Sequence, residues 1–311
     1  MNPAFSVIVF TTVAGTAQGL VVALAAALLA GLPLRPGFAP LTLALAVVLL
    51  VVGLAASFLH LGRPERAWRA ATMWRTSWLS REVIVLPSFI ALVALWAAAL
   101  RLGAPQGWTR GVLPLAALVV AALLWACSAM IYACLRFIEE WAHPLTFVNF
   151  SMTGLASGFV VAAAAGAVGG EVVFVSHIGA WALALTLVAW ACRMLALRRN
   201  AGLRHQSTLQ SATGIHATPL VQKSMGMSAG AFNTREFFHH ASQAAIRNVR
   251  LALVVLGFAV PALLVIVGIV TAATWPWLVA VAIQAIGLLA DRWLFFAQAR
   301  HPQNLYYQVV S

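Results

Sequence analysis

Eight apolar runs recur along the 311-residue chain, separated by short polar or charged stretches. Each is near the ~20 residues that a helix needs to cross ~30 Å of hydrocarbon. A backbone in lipid must satisfy its own hydrogen bonds, and a helix does so within one segment. The spacing predicts spans at 7–32, 41–60, 83–100, 112–135, 147–168, 172–197, 251–274 and 277–296. The composition agrees: 63% of residues are hydrophobic and 8% are charged, against ~25% charged in soluble proteins. The expected fold is an all-α polytopic membrane bundle of about eight transmembrane helices, forming a single unit over 1–311.

Eight spans place both termini on one side of the membrane, called face A below. It also carries the two long connections, 61–82 and 198–250. All but three of the 19 Lys and Arg residues fall on face A or at span ends beside it; the exceptions are Arg35, Arg101 and Arg110. The positive-inside rule therefore assigns face A, with both termini, to the cytoplasm. The formal charge of +12 is not read as nucleic-acid binding, because the basic residues flank apolar runs, where they meet lipid headgroups or set topology. Long loops in compact proteins tend to be functional, so a soluble partner is expected to dock on face A. The loop 61–82 offers five arginines and three tryptophans for this, and the loop 198–250 offers Phe237 and Phe238.

Two small-residue motifs, Gly15/Gly19 and Gly154/Gly158, have the GxxxG spacing that lets helix backbones approach closely. They are expected to pack inside the bundle. Cys127, Cys134 and Cys192 all lie in apolar runs and form no CxxC. An iron–sulfur cluster usually takes about four thiolates, so this chain is not expected to supply one alone, and no metal site is expected.

The richest polar stretch joins spans two and three. It opens with His60 and closes with Glu82. A quinone site needs an apolar cleft, a hydrogen-bond partner for each carbonyl and a proton route. Histidine titrates near neutral pH, and a carboxylate at the membrane edge can exchange protons with water. A purely local role fits the same placement: His60 capping its helix and Glu82 pairing with a loop arginine. The residues alone leave both open. Bis-histidine haem would need two histidines facing each other at matched depth. His60 and His177 fall near opposite faces, so no haem is expected. A transporter should place ionisable groups near the midplane, with interrupted helices and inverted repeats. No repeat is evident, and the main mid-span polar groups, Gln18 and Gln284, are not ionisable.

Three segments carry a family resemblance: the opening MNPAFSVI (1–8), LHLGRPERAW (59–68) and the closing DRWLFFAQARHPQNLYY (291–307). They resemble the membrane anchor subunit of the dimethyl sulfoxide reductase family over nearly the whole chain. The segment SMGMSAGAFNTREFFH (224–239) is similar to the branch that anchors cytoplasmic, quinone-linked sulfite dehydrogenase. The resemblance implies a bacterial inner-membrane complex of three subunits. One soluble partner carries molybdopterin, a second carries iron–sulfur clusters, and the anchor exchanges electrons with ubiquinone or menaquinone without haem. It also implies quinone-binding roles for His60, Glu82 and Arg63, and no catalytic residue for the partner's substrate on this chain. An S- or N-oxide or polysulfide reductase anchor that oxidises quinol, and a purely structural anchor, remain the alternatives.

Overall fold

The computed structural model describes residues 1–59, 61–204, 207–223 and 241–306. Within them are eight helices long and apolar enough to cross a membrane: α1 Phe5–Leu29, α2 Phe38–Phe58, α3 Trp78–Arg101, α4 Trp108–Ala133, α5 Pro144–Gly169, α6 Val172–Ala201, α7 Gln243–Thr271 and α8 Trp275–Ala297. A 3-10 helix, Pro64–Met73, fills much of the α2–α3 connection. A five-residue helix, Leu209–Thr213, lies between α6 and α7. No strand occurs among the described residues.

The apolar runs mark only the part of each helix that lipid can cover. Ser77 caps α3 by accepting a hydrogen bond from the Ser80 amide at 3.3 Å, so α3 starts at Trp78 and not at 83. Ser242 likewise accepts from the Ala245 amide at 3.2 Å. This cap starts α7 at Gln243, eight residues before the apolar run. With α6 continuing to Ala201, the expected 198–250 loop is shorter at both ends. Its Phe237 and Phe238 lie outside the described residues.

Two helices contain a π turn just before a proline, at Trp108–Val112 and Val255–Ala259. Pro114 and Pro261 lack the amide that would continue the ladder. The carbonyls left in the widened turns find other donors. Trp96 Nε1 donates to the Thr109 carbonyl at 2.9 Å, and Gln284 Nε2 donates to the Gly257 carbonyl at 3.4 Å.

α1 is the central helix and packs on α2, α4 and α5. The two GxxxG motifs meet each other: a Cβ on Gly19 would overlap the Gly154 backbone, and one on Gly158 would overlap Gly19. Thr16 and Ser157 hydroxyls bond across this contact at 2.8 Å. A second backbone-close contact joins α7 and α8 at Gly257 and Gly287. At face A the Met1 amine donates to the carbonyls of Ala297 (3.2 Å) and Ala299 (3.0 Å), which ties the start of the chain to the end of α8. On the opposite face the Arg35 amide donates to Glu171 Oε1 at 3.0 Å, and Arg35 Nη1 donates to the Gly169 carbonyl at 3.2 Å. These bonds lock the α1–α2 turn onto the α5–α6 turn.

Candidate functional site

Glu82 is the fifth residue of α3 and is 5% exposed, about 6 Å into the helix from its face A end. Its carboxylate accepts a hydrogen bond from Ser128 Oγ on α4. Among the described residues it makes no ion pair with an arginine. Its neighbour Arg81 is occupied elsewhere: the guanidinium lies 4.1 Å from the Trp78 ring centroid and donates to the carbonyls of Trp74 and Arg75 at 2.9 and 2.8 Å. The local role of Glu82 as a loop-arginine partner is therefore not the one the fold uses. A buried carboxyl held by one hydroxyl is a candidate proton site at the membrane edge.

The other two candidates are placed differently. His60 lies outside the described residues; in sequence it follows Leu59, the residue that caps the end of α2. Arg63 is exposed and leads into the 3-10 helix, its carbonyl accepting from the Arg66 amide at 3.0 Å. Its side chain does not reach Glu82 through any hydrogen bond or ion pair among the described residues. No residue of Pro64–Met73 is buried. This segment and the turn after it form a surface of arginines laid on tryptophans, with Arg69 5.5 Å from the Trp68 ring and Arg75 5.4 Å from Trp74.

Four residues past Ser128, on the same face of α4, Tyr132 stands amid rings from three further elements. Trp141, Phe150, Phe295 and Phe296 lie at centroid distances of 5.2, 5.7, 5.4 and 5.3 Å. Phe150 also carries the Arg292 guanidinium over its face at 3.8 Å. Arg292 Nη2 donates to Thr153 Oγ1 at 2.9 Å. The preceding residue, Asp291, forms a buried ion pair with Arg193 of α6.

These charges correct the sequence-based expectation in two respects. Arg193 and Arg292, counted there with the face A arginines at span ends, are 2% and 4% exposed inside the bundle. Gln18 and Gln284 are buried, but ionisable groups accompany them: Arg193 and Asp291 lie about 12 and 9 Å in from the ends of their helices. The charge asymmetry survives the loss of two arginines. A signal for this cluster was present, since an Asp-Arg doublet interrupting an apolar run marks a functional or paired site. Ser128 and Tyr132 had no such signal, because hydroxyls are common within spans.

The sequence matches the family model described as DMSO reductase anchor subunit (DmsC) over residues 1–297. It is 47% identical over 326 aligned positions to a sulfite dehydrogenase subunit of Allochromatium vinosum, and the alignment covers 100% of both chains.

Proposed function

This chain belongs to the DMSO reductase anchor subunit (DmsC) family, and from that premise we propose that it is the quinone-reactive anchor of a molybdopterin enzyme complex of the bacterial inner membrane. The observation that carries the proposal is the buried Glu82 carboxyl, held by Ser128 at the face A edge of the bundle and left unpaired by the surrounding arginines. The reaction is sulfite oxidation in the cytoplasm. Full-length similarity to a sulfite dehydrogenase subunit supports that choice, and the basic bias of face A supports the side. Electrons arrive from an iron–sulfur partner docked on face A, over the arginine–tryptophan surface of 64–81, and this partner in turn serves a molybdopterin subunit. Arginine and aromatic residues are enriched in interface cores.

A quinone takes up two electrons and two protons to become a quinol. His60 hydrogen-bonds one carbonyl, Arg63 adds a positive charge at the mouth, and Glu82 exchanges the proton with cytoplasmic water. A titratable group beside the carbonyl lowers the cost of adding charge in a low-dielectric cleft. The test is the ratio of quinone-linked turnover to turnover with a soluble artificial acceptor in the purified complex. Glu82→Gln and His60→Ala should lower that ratio, His60→Ala by roughly 10²-fold, while the complex stays assembled. An unchanged ratio in both variants would place the quinone elsewhere. Wild-type complex that never reduces quinone would make the chain a structural anchor.

A further inference from the structure

Tyr132 occupies an unusual position for a tyrosine inside a bundle. Its ring is held on several sides by Trp141, Phe150, Phe295 and Phe296. Its hydroxyl, however, makes no hydrogen bond among the described residues. The residue is half-buried, so something outside the chain can reach it.

Its surroundings say what that ligand is. Ser128 and Tyr132 lie one turn apart on one face of α4, and Ser128 donates to Glu82. The phenol therefore stands one turn nearer face A than the Glu82 contact, within electrostatic reach of both Glu82 and Arg292. The positive side of this arrangement is built in. Arg193, Asp291 and Arg292 place two guanidinium groups against one carboxylate, and Thr153 fixes Arg292 over the Phe150 ring. An unpaired donor on a ring fixed by buried aromatic packing, a buried carboxyl one turn away and buried positive charge nearby suit a ligand whose oxygens gain negative charge.

We propose that the Tyr132 hydroxyl is a second hydrogen-bond donor to the quinone headgroup, holding one of its oxygens, while the packed aromatic rings fix the direction of the phenol. This rests on the quinone role assigned to Glu82. Tyr132 gives up no proton in the reaction. Its bond strengthens as the oxygen becomes more negative, and so favours the state approaching reduction over the bound oxidised quinone. The Arg292 cluster positions Phe150, whose ring stacks on Tyr132.

The test uses the whole purified complex carrying Tyr132→Phe, which keeps the ring packing and removes only the hydroxyl. The probes are a decyl-substituted ubiquinone and menadione, with a soluble artificial acceptor as the control. The expected result is a roughly ten-fold fall in kcat/KM for both quinones, the size of one lost hydrogen bond, with artificial-acceptor turnover within about two-fold of wild type. Unchanged quinone kinetics in an active complex would remove Tyr132 alone from the site. Loss of assembly in Tyr132→Phe would overturn the proposal by making the hydroxyl structural. A wild-type complex inert toward both quinones would remove the quinone role of Glu82, and Tyr132 with it.

Discussion

Arg193 of α6 and Asp291 of α8 form an ion pair inside the bundle, each side chain only 3% exposed. Arg193 Nη2 also donates to the Asp291 main-chain carbonyl at 3.3 Å. The pair links two helices that pack mainly on other neighbours, α6 on α5 and α7, α8 on α5 and α7. Removing one partner leaves the other charged and unsolvated. Asp291→Asn is therefore expected to destabilise the protein by about 3–5 kcal/mol, and Arg193→Met with Asp291→Leu by much less, because the double change leaves no orphan charge. Thermal unfolding of the purified complex in detergent checks both. A double variant no better than Asp291→Asn would show that the pair serves something beyond mutual neutralisation.

The contact between α1 and α5 is closest where Gly19 meets Gly154 and Gly158. Gly158→Leu cannot be absorbed by rotating a side chain, since the first added carbon already overlaps the Gly19 backbone. The helices must separate, and the Thr16–Ser157 bond at 2.8 Å goes with them. The expected result is failure to accumulate in the membrane, read by the yield of assembled complex. Gly62→Ala, where the added carbon meets open space, should leave yield unchanged.

His143 precedes α5, and its Nδ1 accepts from the Leu145 amide at 3.1 Å. Burial, with Arg199 nearby, pushes its pKa below the ordinary histidine value. The unfolded chain thus takes up this proton at a higher pH than the folded one. The stabilisation is fully present above about pH 6.5 and is lost as pH falls through the window below it. His143→Asn keeps a capping oxygen and cannot titrate. Its stability relative to wild type should rise on acidification from pH 7 to pH 5. A constant difference across that range would mean that the cap does not depend on the neutral imidazole.

The charge asymmetry makes a topological claim. A reporter fused after Gly214, between α6 and α7, should register the cytoplasm, and one inserted at Gly103, between α3 and α4, the periplasm. Crosslinks from the proposed iron–sulfur partner should fall on Trp68, Met73 and Trp74, all exposed. Crosslinks centred instead on Arg35 and Arg110 would put the partner on the other face and reverse the proposed compartment.

Much of this architecture was legible in the sequence because it is written in local quantities. Span number follows from the length of apolar runs. The expected membrane side rests on where charges interrupt them, and the reporter fusions above test it. The GxxxG pairs signalled close backbone approach, and they do meet each other. Glu82 stood out as a carboxyl beside an apolar run. What only the tertiary structure decided is which side chains face one another. A helix turns ~100° per residue, so partners across helices depend on each helix's rotation about its axis. That rotation shows in sequence as an amphipathic stripe, and spans apolar on nearly every side carry almost none. Hence Arg193 and Arg292 look like surface charges until α5, α6 and α8 are packed together. For the same reason Ser128 and Tyr132 are anonymous hydroxyls until α4 turns them toward Glu82 and the aromatic cluster.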